Sequence, residues 1–380
     1  MNKFLLLCLI FSAPLCAEKL NIEALDKNMA IKTADQNGIV WFSPQEKPFR
    51  LSGFKWINKE SLYRRLPLTP DFAIRKAVDN LANNTSGGQI HFKTDSSKIL
   101  IRAKIAYESS MYHMPATGQS SFDLYTGAPG ELLYCKTARF KTSETAFTST
   151  LFEDKKQMRN FVINFPLYNG VKSLEIGLIA DSQVDEPPAF EGEGPIVVYG
   201  TSITQGGCAA RPGLSYTNIL SRRLNREFVN LGFSGNGRGE PALAHLINDI
   251  PNKSMIILDY EANANEDIPN SLGPFIDILR VKNPKIPILI ISRILYATQA
   301  RKFKTVHLST SLALFQKDLV KSRQLAGDNN IYFLDGKSLL GAYAHEATVD
   351  GVHPNSYGFM MMAENIHPVI QQILKPKGAQ

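Results

Sequence analysis

Two segments of the chain carry side chains that could together activate a serine hydroxyl. Ser202 follows an apolar run, and Asp350 and His353 lie three residues apart in one later segment. A serine hydroxyl is a weak nucleophile until an imidazole accepts its proton and a carboxylate orients that imidazole. We therefore predict Ser202 as the nucleophile, His353 as its general base and Asp350 as the group that orients the base.

A nucleophile of this kind needs hydrogen-bond donors for the oxyanion that forms on the attacked carbonyl. Gly235 follows a second apolar run and has no side chain to block its backbone N–H, and Asn263 follows a third with a side-chain amide. The backbone N–H of Ser202 is the third candidate. Asn265 competes with Asn263 for the role of the amide.

The elements that must position these groups change character near residue 190. From about residue 40 to residue 181, short alternating runs are separated by turn residues, which is typical of antiparallel strands, and one helical pattern covers Asp71–Asn84. Residues 186–194 are a predicted linker. Apolar strands then alternate with helical patterns, which predicts a parallel sheet with helices on both faces. The predicted strands are 196–199, 228–231, 255–258, 286–291 and 331–334.

The functional residues of such a sheet lie at the carboxyl ends of its strands, and the candidate groups follow these strand ends. The four segments resemble the blocks of the SGNH (GDSL-type) hydrolases, which supply Ser, Gly, Asn and His in this chain order. Tyr199–Cys208, YGTSITQGGC, is similar to the branch with the nucleophile motif GTSITQGG. That branch often carries an N-terminal β domain with a GxDLY motif, and Ser121–Tyr125, SFDLY, matches it except at the glycine.

The resemblance implies Ser202 as the nucleophile, Gly235 and Asn263 in the oxyanion hole, and a triad completed by Asp350 and His353. It implies a flavodoxin-like three-layer α/β/α domain with a parallel five-stranded sheet, preceded by an antiparallel β-sandwich or jelly roll. The predicted domains are 18–185 and 195–380. The chain departs from the family at Thr201, where most members have aspartate, and at 261–264, where EANA replaces Gly-x-Asn-Asp.

Residues 1–17 have the layout of a secretory signal peptide, with an early lysine, an apolar run and small residues near Ala17. We expect a secreted or periplasmic protein without stable membrane insertion. Because Ala13-Pro14-Leu15 departs from a lipobox, we expect no lipid anchor at Cys16. Cys135 and Cys208 then remain, and two separate thiols are expected in preference to a disulfide between them.

The bulk composition excludes several classes of function. Of 380 residues, 44% are hydrophobic and 20% charged, as in an ordinary globular protein. The net charge of +7 is spread along the chain, so no nucleic-acid partner is predicted. No ligand cluster is apparent, and no metal or organic cofactor is predicted. No oligomeric state is predicted either.

Each candidate also has a plainer interpretation. Ser202 could cap a helix, and His345 is the main rival to His353. The other histidines are interpreted as structural. Arg211 and Arg238 could hold an anionic substrate group or serve ordinary surface roles. Asp123 and Tyr125 of the SFDLY segment are expected in strand packing or an interdomain contact.

The predicted activity is hydrolysis of a small-molecule or polysaccharide ester, with O-acetyl groups on carbohydrates as the first choice. An esterase, lipase or thioesterase for longer acyl chains is one alternative. The other is a non-catalytic glycan-binding protein on a hydrolase scaffold.

Overall fold

The computed structural model of the protein describes residues 33–57, 62–297, 299 and 307–375. Residues Ala34–Gln380 form one compact unit, and the fold below is the fold of that unit. The predicted signal peptide, including Cys16, lies outside the described residues. Within the described part of the chain, no helix combines the length and the apolarity needed to cross a bilayer.

The first part of the unit, the β region (residues 39–185), consists mainly of antiparallel strands. In chain order they are β1 (Ile39–Phe42), β2 (Arg50–Ser52), β3 (Gln89–Thr94), β4 (Lys98–Ile105), β5 (Asp123–Thr126), β6 (Leu133–Thr137), β7 (Ala146–Glu153), β8 (Arg159–Asn164), β9 (Val171–Ile179) and β10 (Val184–Asp185). One sheet has the order β1-β9-β4-β7, and the other has the order β10-β3-β8-β5-β6, with β2 also paired to β3.

The two sheets of the β region share one apolar core. In β4, Ile99, Ile101, Ala103 and Ile105 are buried and alternate with more exposed residues, as expected for a strand with one face on a core. They pack with buried side chains of the second sheet such as Phe92. The predicted antiparallel β fold of this region is confirmed.

The second part, the α/β region (residues 196–374), is built on a parallel sheet. Its strands are β11 (Ile196–Gly200), β12 (Phe228–Gly232), β13 (Met255–Asp259), β14 (Ile288–Ile291) and β15 (Ile331–Leu334), in the order β12-β11-β13-β14-β15. Every pair in this sheet is parallel, and β11 to β14 are buried along their whole length. The predicted five-stranded parallel sheet is confirmed.

Helices cover both faces of the parallel sheet. The α-helices of the described residues are α1 (Lys76–Leu81), α2 (Ala116–Ser120), α3 (Ser202–Gln205), α4 (Tyr216–Leu224), α5 (Pro241–Asp249), α6 (Glu261–Ala264), α7 (Ile268–Lys282), α8 (His307–Leu325) and α9 (Ser356–Leu374). Along β11, Val197 and Tyr199 share a core with α5, α7 and α8, whereas Ile196 and Val198 share another with α4 and α9. Alternate side chains of one strand therefore face opposite helical layers.

Helix α1 is shorter than the pattern at Asp71–Asn84 predicted. The helix begins only after Arg75, whose backbone is extended (φ −64°, ψ 140°). The Arg75 guanidinium is instead held by the α/β region, where it donates to Asn236 Oδ1 at 2.7 Å and to Glu240 Oε1 at 2.6 Å. This tertiary contact stabilises the extended backbone at the residue where the pattern expected a helix.

Arg65 of the β region is 1% exposed and inserts beside the end of β12. Its guanidinium donates to the carbonyls of Leu81 and Asn84 at 2.7 Å each, to that of Gly232 at 2.5 Å, and to that of Asn230 at 3.3 Å. Burial lowers the pKa of Arg65 to about 9. One cation therefore ties the β region to the carboxyl end of a strand in the parallel sheet.

Candidate active site

The carboxyl ends of β11, β12 and β13 lie side by side at one edge of the parallel sheet. Gly200 pairs in register with Gly232 on one side and with Asp259 on the other. The Phe233 N–H donates to the Gly200 carbonyl at 3.0 Å, which holds the turn after β12 against the turn after β11. The segments that carry Ser202, Gly235 and Asn263 therefore leave the sheet next to one another.

Ser202 is the first residue of α3 and is 7% exposed. The cap of this helix is Thr201, whose side chain accepts a hydrogen bond from the Ile203 N–H at 3.2 Å. Because Thr201 satisfies this donor, the Ser202 hydroxyl is not needed as a helix cap. The plainer interpretation of Ser202 as a capping residue is therefore wrong.

A continuous path of hydrogen bonds connects Ser202 to a carboxylate. Ser202 Oγ lies 2.8 Å from His353 Nε2, and His353 Nδ1 lies 2.7 Å from Asp350 Oδ2. The other oxygen, Oδ1, accepts from the backbone N–H groups of Val352 at 3.0 Å and His353 at 2.8 Å. The loop thus orients both the imidazole and the carboxylate.

The charge state of Asp350 follows from these contacts. Burial alone raises the pKa of a carboxyl group, but the hydrogen bonds from His353 and from the Val352 N–H outweigh burial and lower the pKa of Asp350 to about 2. The carboxylate therefore stays ionised across neutral and mildly acidic pH. It can stabilise positive charge on the imidazole whenever that ring accepts a proton.

Three hydrogen-bond donors on the segments after β11, β12 and β13 have no partner among the described residues: the Ser202 N–H, the Gly235 N–H and Asn263 Nδ2. Gly235 is left-handed (φ +67°), and a Cβ at this position would have no heavy atom within 4 Å, so its backbone is open to a ligand. Asn263 Oδ1 accepts from the Gly237 N–H at 3.3 Å, which directs Nδ2 away from that loop. Asn265, the rival amide, is exposed beyond the end of α6.

The β region contributes side chains to this site that sequence reasoning missed. The ring of His113 lies 5.7 Å from the ring of His353, centroid to centroid, and Tyr168 Oη donates to the Ser202 carbonyl at 3.1 Å. A Cβ on Gly207 would lie 2.8 Å from Tyr168 Oη and 3.4 Å from His353 Cδ2. We interpreted His113 as structural, and the structure places its ring beside that of His353. A single histidine in a loop gives no sequence signal of such a position.

His113 and His353 also lie close to the Cys208 thiol. One ligand atom from each of these three residues lies within 4.8 Å of the other two. The sequence had suggested no ligand cluster, because the three positions are scattered along the chain. Cys208 and Cys135 are both free thiols, and burial raises the pKa of Cys208 to about 12.

The SFDLY segment anchors the loop that follows the nucleophile helix. Asp123 is fully buried and accepts from Arg211 Nη1 at 3.0 Å and from the Gly213 N–H at 2.8 Å. Tyr125 Oη also accepts from Arg211, and the guanidinium carbon lies 3.8 Å from the ring centroid of Tyr134. The positive charge of Arg211 is therefore matched within the protein and is not directed toward a substrate.

The structure also shows the contacts of Arg238 and His345, the two remaining alternatives from the sequence. The exposed Arg238 side chain donates through Nε to the Gly235 carbonyl at 3.1 Å. This carbonyl belongs to the same residue as the Gly235 N–H that is open to a ligand. His345 lies 3.9 Å from the carboxylate of its neighbour Glu346, whereas His353 contacts Ser202.

A buried carboxyl group lies behind the nucleophile turn. Asp259 Oδ2 accepts from Thr204 Oγ1 at 2.9 Å and from Tyr216 Oη at 2.8 Å. Burial raises the pKa of Asp259 to about 7, even though both hydrogen bonds lower it. Thr204 belongs to α3, so this network supports the helix that presents Ser202.

Two family matches cover most of the chain. Residues 193–371 match the GDSL-like lipase/acylhydrolase family, and residues 39–184 match the N-terminus of SGNH-hydrolase-type esterases, named GxDLY. No curated protein matches the chain.

Solved structures share the fold over both regions. A protein from Bacteroides ovatus ATCC 8483 described as a GDSL-like lipase has a TM-score of 0.80 and 29% identity, over 89% of this chain and 98% of its own. The salicylyl-acyltransferase SsfX3 of a tetracycline biosynthetic pathway has a TM-score of 0.71 and 19% identity, over 89% and 98%. A family two carbohydrate esterase from Cellvibrio japonicus has a TM-score of 0.58 and 13% identity, over 88% and 98%. The chain belongs to the SGNH (GDSL-like) lipase/acylhydrolase family, in the branch with a GxDLY N-terminal domain.

Proposed function

We propose that the protein is a serine esterase that hydrolyses carboxylic esters through an acyl-enzyme, with O-acetyl groups on carbohydrates as its substrates. The observation that carries this proposal is the unbroken path from Ser202 Oγ through His353, at 2.8 Å and 2.7 Å, to the ionised carboxylate of Asp350. An adjacent base and an oriented imidazole are the two conditions under which a serine hydroxyl becomes a useful nucleophile.

In the acylation step, Ser202 Oγ attacks the ester carbonyl carbon while His353 Nε2 accepts the hydroxyl proton. The carbonyl π electrons move onto its oxygen. That oxyanion would accept hydrogen bonds from the N–H groups of Ser202 and Gly235 and from Asn263 Nδ2. Asp350 stabilises the imidazolium through Nδ1. When the intermediate collapses, the carbon–oxygen bond to the alcohol breaks, and His353 returns the proton to the leaving oxygen.

In the deacylation step, a water molecule takes the place of the alcohol. His353 accepts one proton from this water as its oxygen attacks the acyl carbon, and the same donors hold the second oxyanion. Collapse breaks the bond to Ser202 Oγ, which regains a proton from His353. The products are a free carboxylic acid and the enzyme in its starting state.

The choice of a short acyl group rests on the surroundings of the triad. His113 and Tyr168 of the β region stand against the imidazole and the nucleophile turn, which narrows the space on that side of the site. A small acyl group such as acetyl needs less space beside these side chains than a long acyl chain does. The carbohydrate part of the proposal is supported by the fold shared with a family two carbohydrate esterase.

The test compares hydrolysis of p-nitrophenyl acetate, butyrate and octanoate by the wild type and by Ser202→Ala. We expect acetate to react fastest and the variant to lose at least about 10³-fold in kcat, because triad members act as a unit. Fastest turnover of octanoate would favour a long-chain esterase or thioesterase instead. Equal inactivity of both proteins on these esters and on acetylated xylan, together with retained xylan binding, would favour a non-catalytic glycan-binding protein.

We further propose that the enzyme is exported after cleavage near Ala17, and that residues 18–185 and 195–380 are its two domains. The apolar run and small residues of segment 1–17 support export. N-terminal sequencing of the protein recovered outside the cytoplasm tests this proposal, and a mature chain that still begins at Met1 would refute it.

A further inference from the structure

His113, Cys208 and His353 bring together the side-chain types that bind zinc. Imidazole and thiolate are the preferred ligands of this ion, and three protein ligands with one open position make a common site. The three residues come from the β region, from the turn after α3 and from the loop that carries Asp350. The site therefore exists only where the two regions meet.

The spacing of the ligand atoms is close to what a tetrahedral ion needs. They lie within 4.8 Å of one another. Bond lengths of about 2.1 Å to nitrogen and 2.3 Å to sulfur place tetrahedral ligand atoms about 3.4–3.7 Å apart. Side-chain rotations that move each ligand atom by roughly an ångström bring the three atoms to the tetrahedral spacing. His113 Nδ1 is buried without a hydrogen-bond partner among the described residues. This ring nitrogen is therefore available as a metal ligand.

The conformation of Cys208 also sets it apart from an ordinary buried cysteine. Its φ of +75° lies in the left-handed region, which non-glycine residues rarely adopt, and its residue is 2% exposed. This backbone brings the thiol toward the imidazoles of His113 and His353. Cys135, the other described thiol, lies on β6 and belongs to no such group.

Metal binding here would be incompatible with the hydrogen-bond path of the triad. His353 has two ring nitrogens, and both are already used, Nε2 by Ser202 and Nδ1 by Asp350. A metal ion needs the lone pair of one of them, so either the contact with the nucleophile or the contact with the carboxylate must break. We propose that His113, Cys208 and His353 form a reversible inhibitory site for a thiophilic divalent cation, best fitted by Zn²⁺.

The binding step is a ligand exchange without redox chemistry. The Cys208 sulfur donates an electron pair to the ion and its proton leaves to solvent, while both imidazoles bind through neutral nitrogens. The inhibitory part of this proposal rests on the proposed esterase activity, but the binding part does not. The two parts are therefore measured separately.

Binding is tested with Co²⁺ as a spectroscopic substitute for Zn²⁺ on the full chain after chelator treatment. We expect one equivalent of Co²⁺ to produce a near-ultraviolet thiolate-to-cobalt charge-transfer band that Zn²⁺ abolishes. Cys208→Ser should lose the band, and the matched control Cys135→Ser should keep it. The inactive variant Ser202→Ala should also keep it, which separates failure of the metal site from failure of the proposed function.

Inhibition is tested by titrating Zn²⁺ into p-nitrophenyl acetate hydrolysis and reversing the effect with chelator. Cys208→Ser should hydrolyse the ester without metal and need at least about tenfold more Zn²⁺ for half-inhibition, since loss of even a side chain that only supports a ligand costs about 10–100-fold in affinity. His113→Gln, assayed against its own metal-free rate, should need a similar increase. If Cys208→Ser does not fold, His113→Gln decides. A cobalt band unchanged in Cys208→Ser, or Zn²⁺ that binds without slowing hydrolysis, overturns the proposal.

Discussion

Replacing Asp259 by asparagine is expected to stabilise the protein, and to do so more strongly at neutral pH than at acidic pH. Asp259 is 8% exposed and accepts hydrogen bonds from Thr204 and Tyr216 through one oxygen. An asparagine side chain has nearly the same shape, and its carbonyl oxygen can accept both bonds. The substitution therefore removes a buried titratable group while keeping its contacts.

The magnitude follows from the pKa of Asp259, which burial raises from 3.8 to about 7. Below pH 3.8 the carboxyl group is protonated in both the folded and the unfolded chain, and the substitution has little effect. Between pH 3.8 and about 7 the unfolded chain releases the proton while the folded chain keeps it, so wild-type stability falls. At about 1.4 kcal/mol per pH unit, the stability that the variant gains over the wild type reaches at most about 4 kcal/mol, and this gain persists above pH about 7.

The assay is urea unfolding of the wild type and Asp259→Asn at pH about 5 and about 8. The stability gained by the variant should be about 3 kcal/mol larger at the higher pH. Asp318→Asn, at an exposed position on α8, is the matched control and should show no such growth. An Asp259→Asn effect that is equal at both pH values would refute the assignment of a buried, protonated carboxyl group behind the nucleophile.

Other substitutions test the supports of the site. Asp123→Ala should lower the free energy of unfolding by about 3–5 kcal/mol, measured in urea, because it leaves the Arg211 cation without its buried partner; a loss below about 1 kcal/mol would contradict this. Gly207→Ala should fold but lose at least about tenfold in kcat, because the new methyl group would press on Tyr168 Oη at 2.8 Å; unchanged kcat would mean that the turn yields freely. Asp350→Asn should reduce kcat by about 10⁴-fold, and a variant that is nearly as active as the wild type would show that the carboxylate does not orient the imidazole. It should also lower the free energy of unfolding at neutral pH by at most about 2 kcal/mol, because the pKa of this carboxyl group falls from 3.8 to about 2 in the folded chain.

The parts of the fold that could be predicted from the sequence are those with a strong local pattern. Strands β11 to β14 are buried along their length and read as apolar runs, and the helices between them have a clear helical period. Strand β7 has a weak local pattern because it lies at a sheet edge, where most of its residues are at least partly exposed and no apolar alternation develops. The excess length predicted for α1 has a tertiary cause, the contacts of Arg75 with the α/β region.

Some residues of the candidate site could likewise be predicted from the sequence, and others could not. Ser202, Gly235, Asn263 and the Asp350–His353 pair stand at strand ends or in one short loop, so their positions follow from the topology of a parallel sheet. His113 and Tyr168 reach the site from the β region, through packing between segments that are far apart in the sequence. Nothing in the residues around either position indicates which part of the α/β region will face it.

The buried contacts of Arg65 have a consequence for the order in which the chain can mature. During synthesis the β region emerges first, but two of the carbonyls that receive the Arg65 guanidinium lie 165 and 167 residues further along the chain. Until β12 is available, this cation must stay hydrated or lie buried with only part of its hydrogen bonds, and an unmatched buried charge is strongly unfavourable. The β region therefore cannot complete its packing around Arg65 as an independent early unit, and this contact stays incomplete in the nascent chain until the first two strands of the parallel sheet, β11 and β12, have been made.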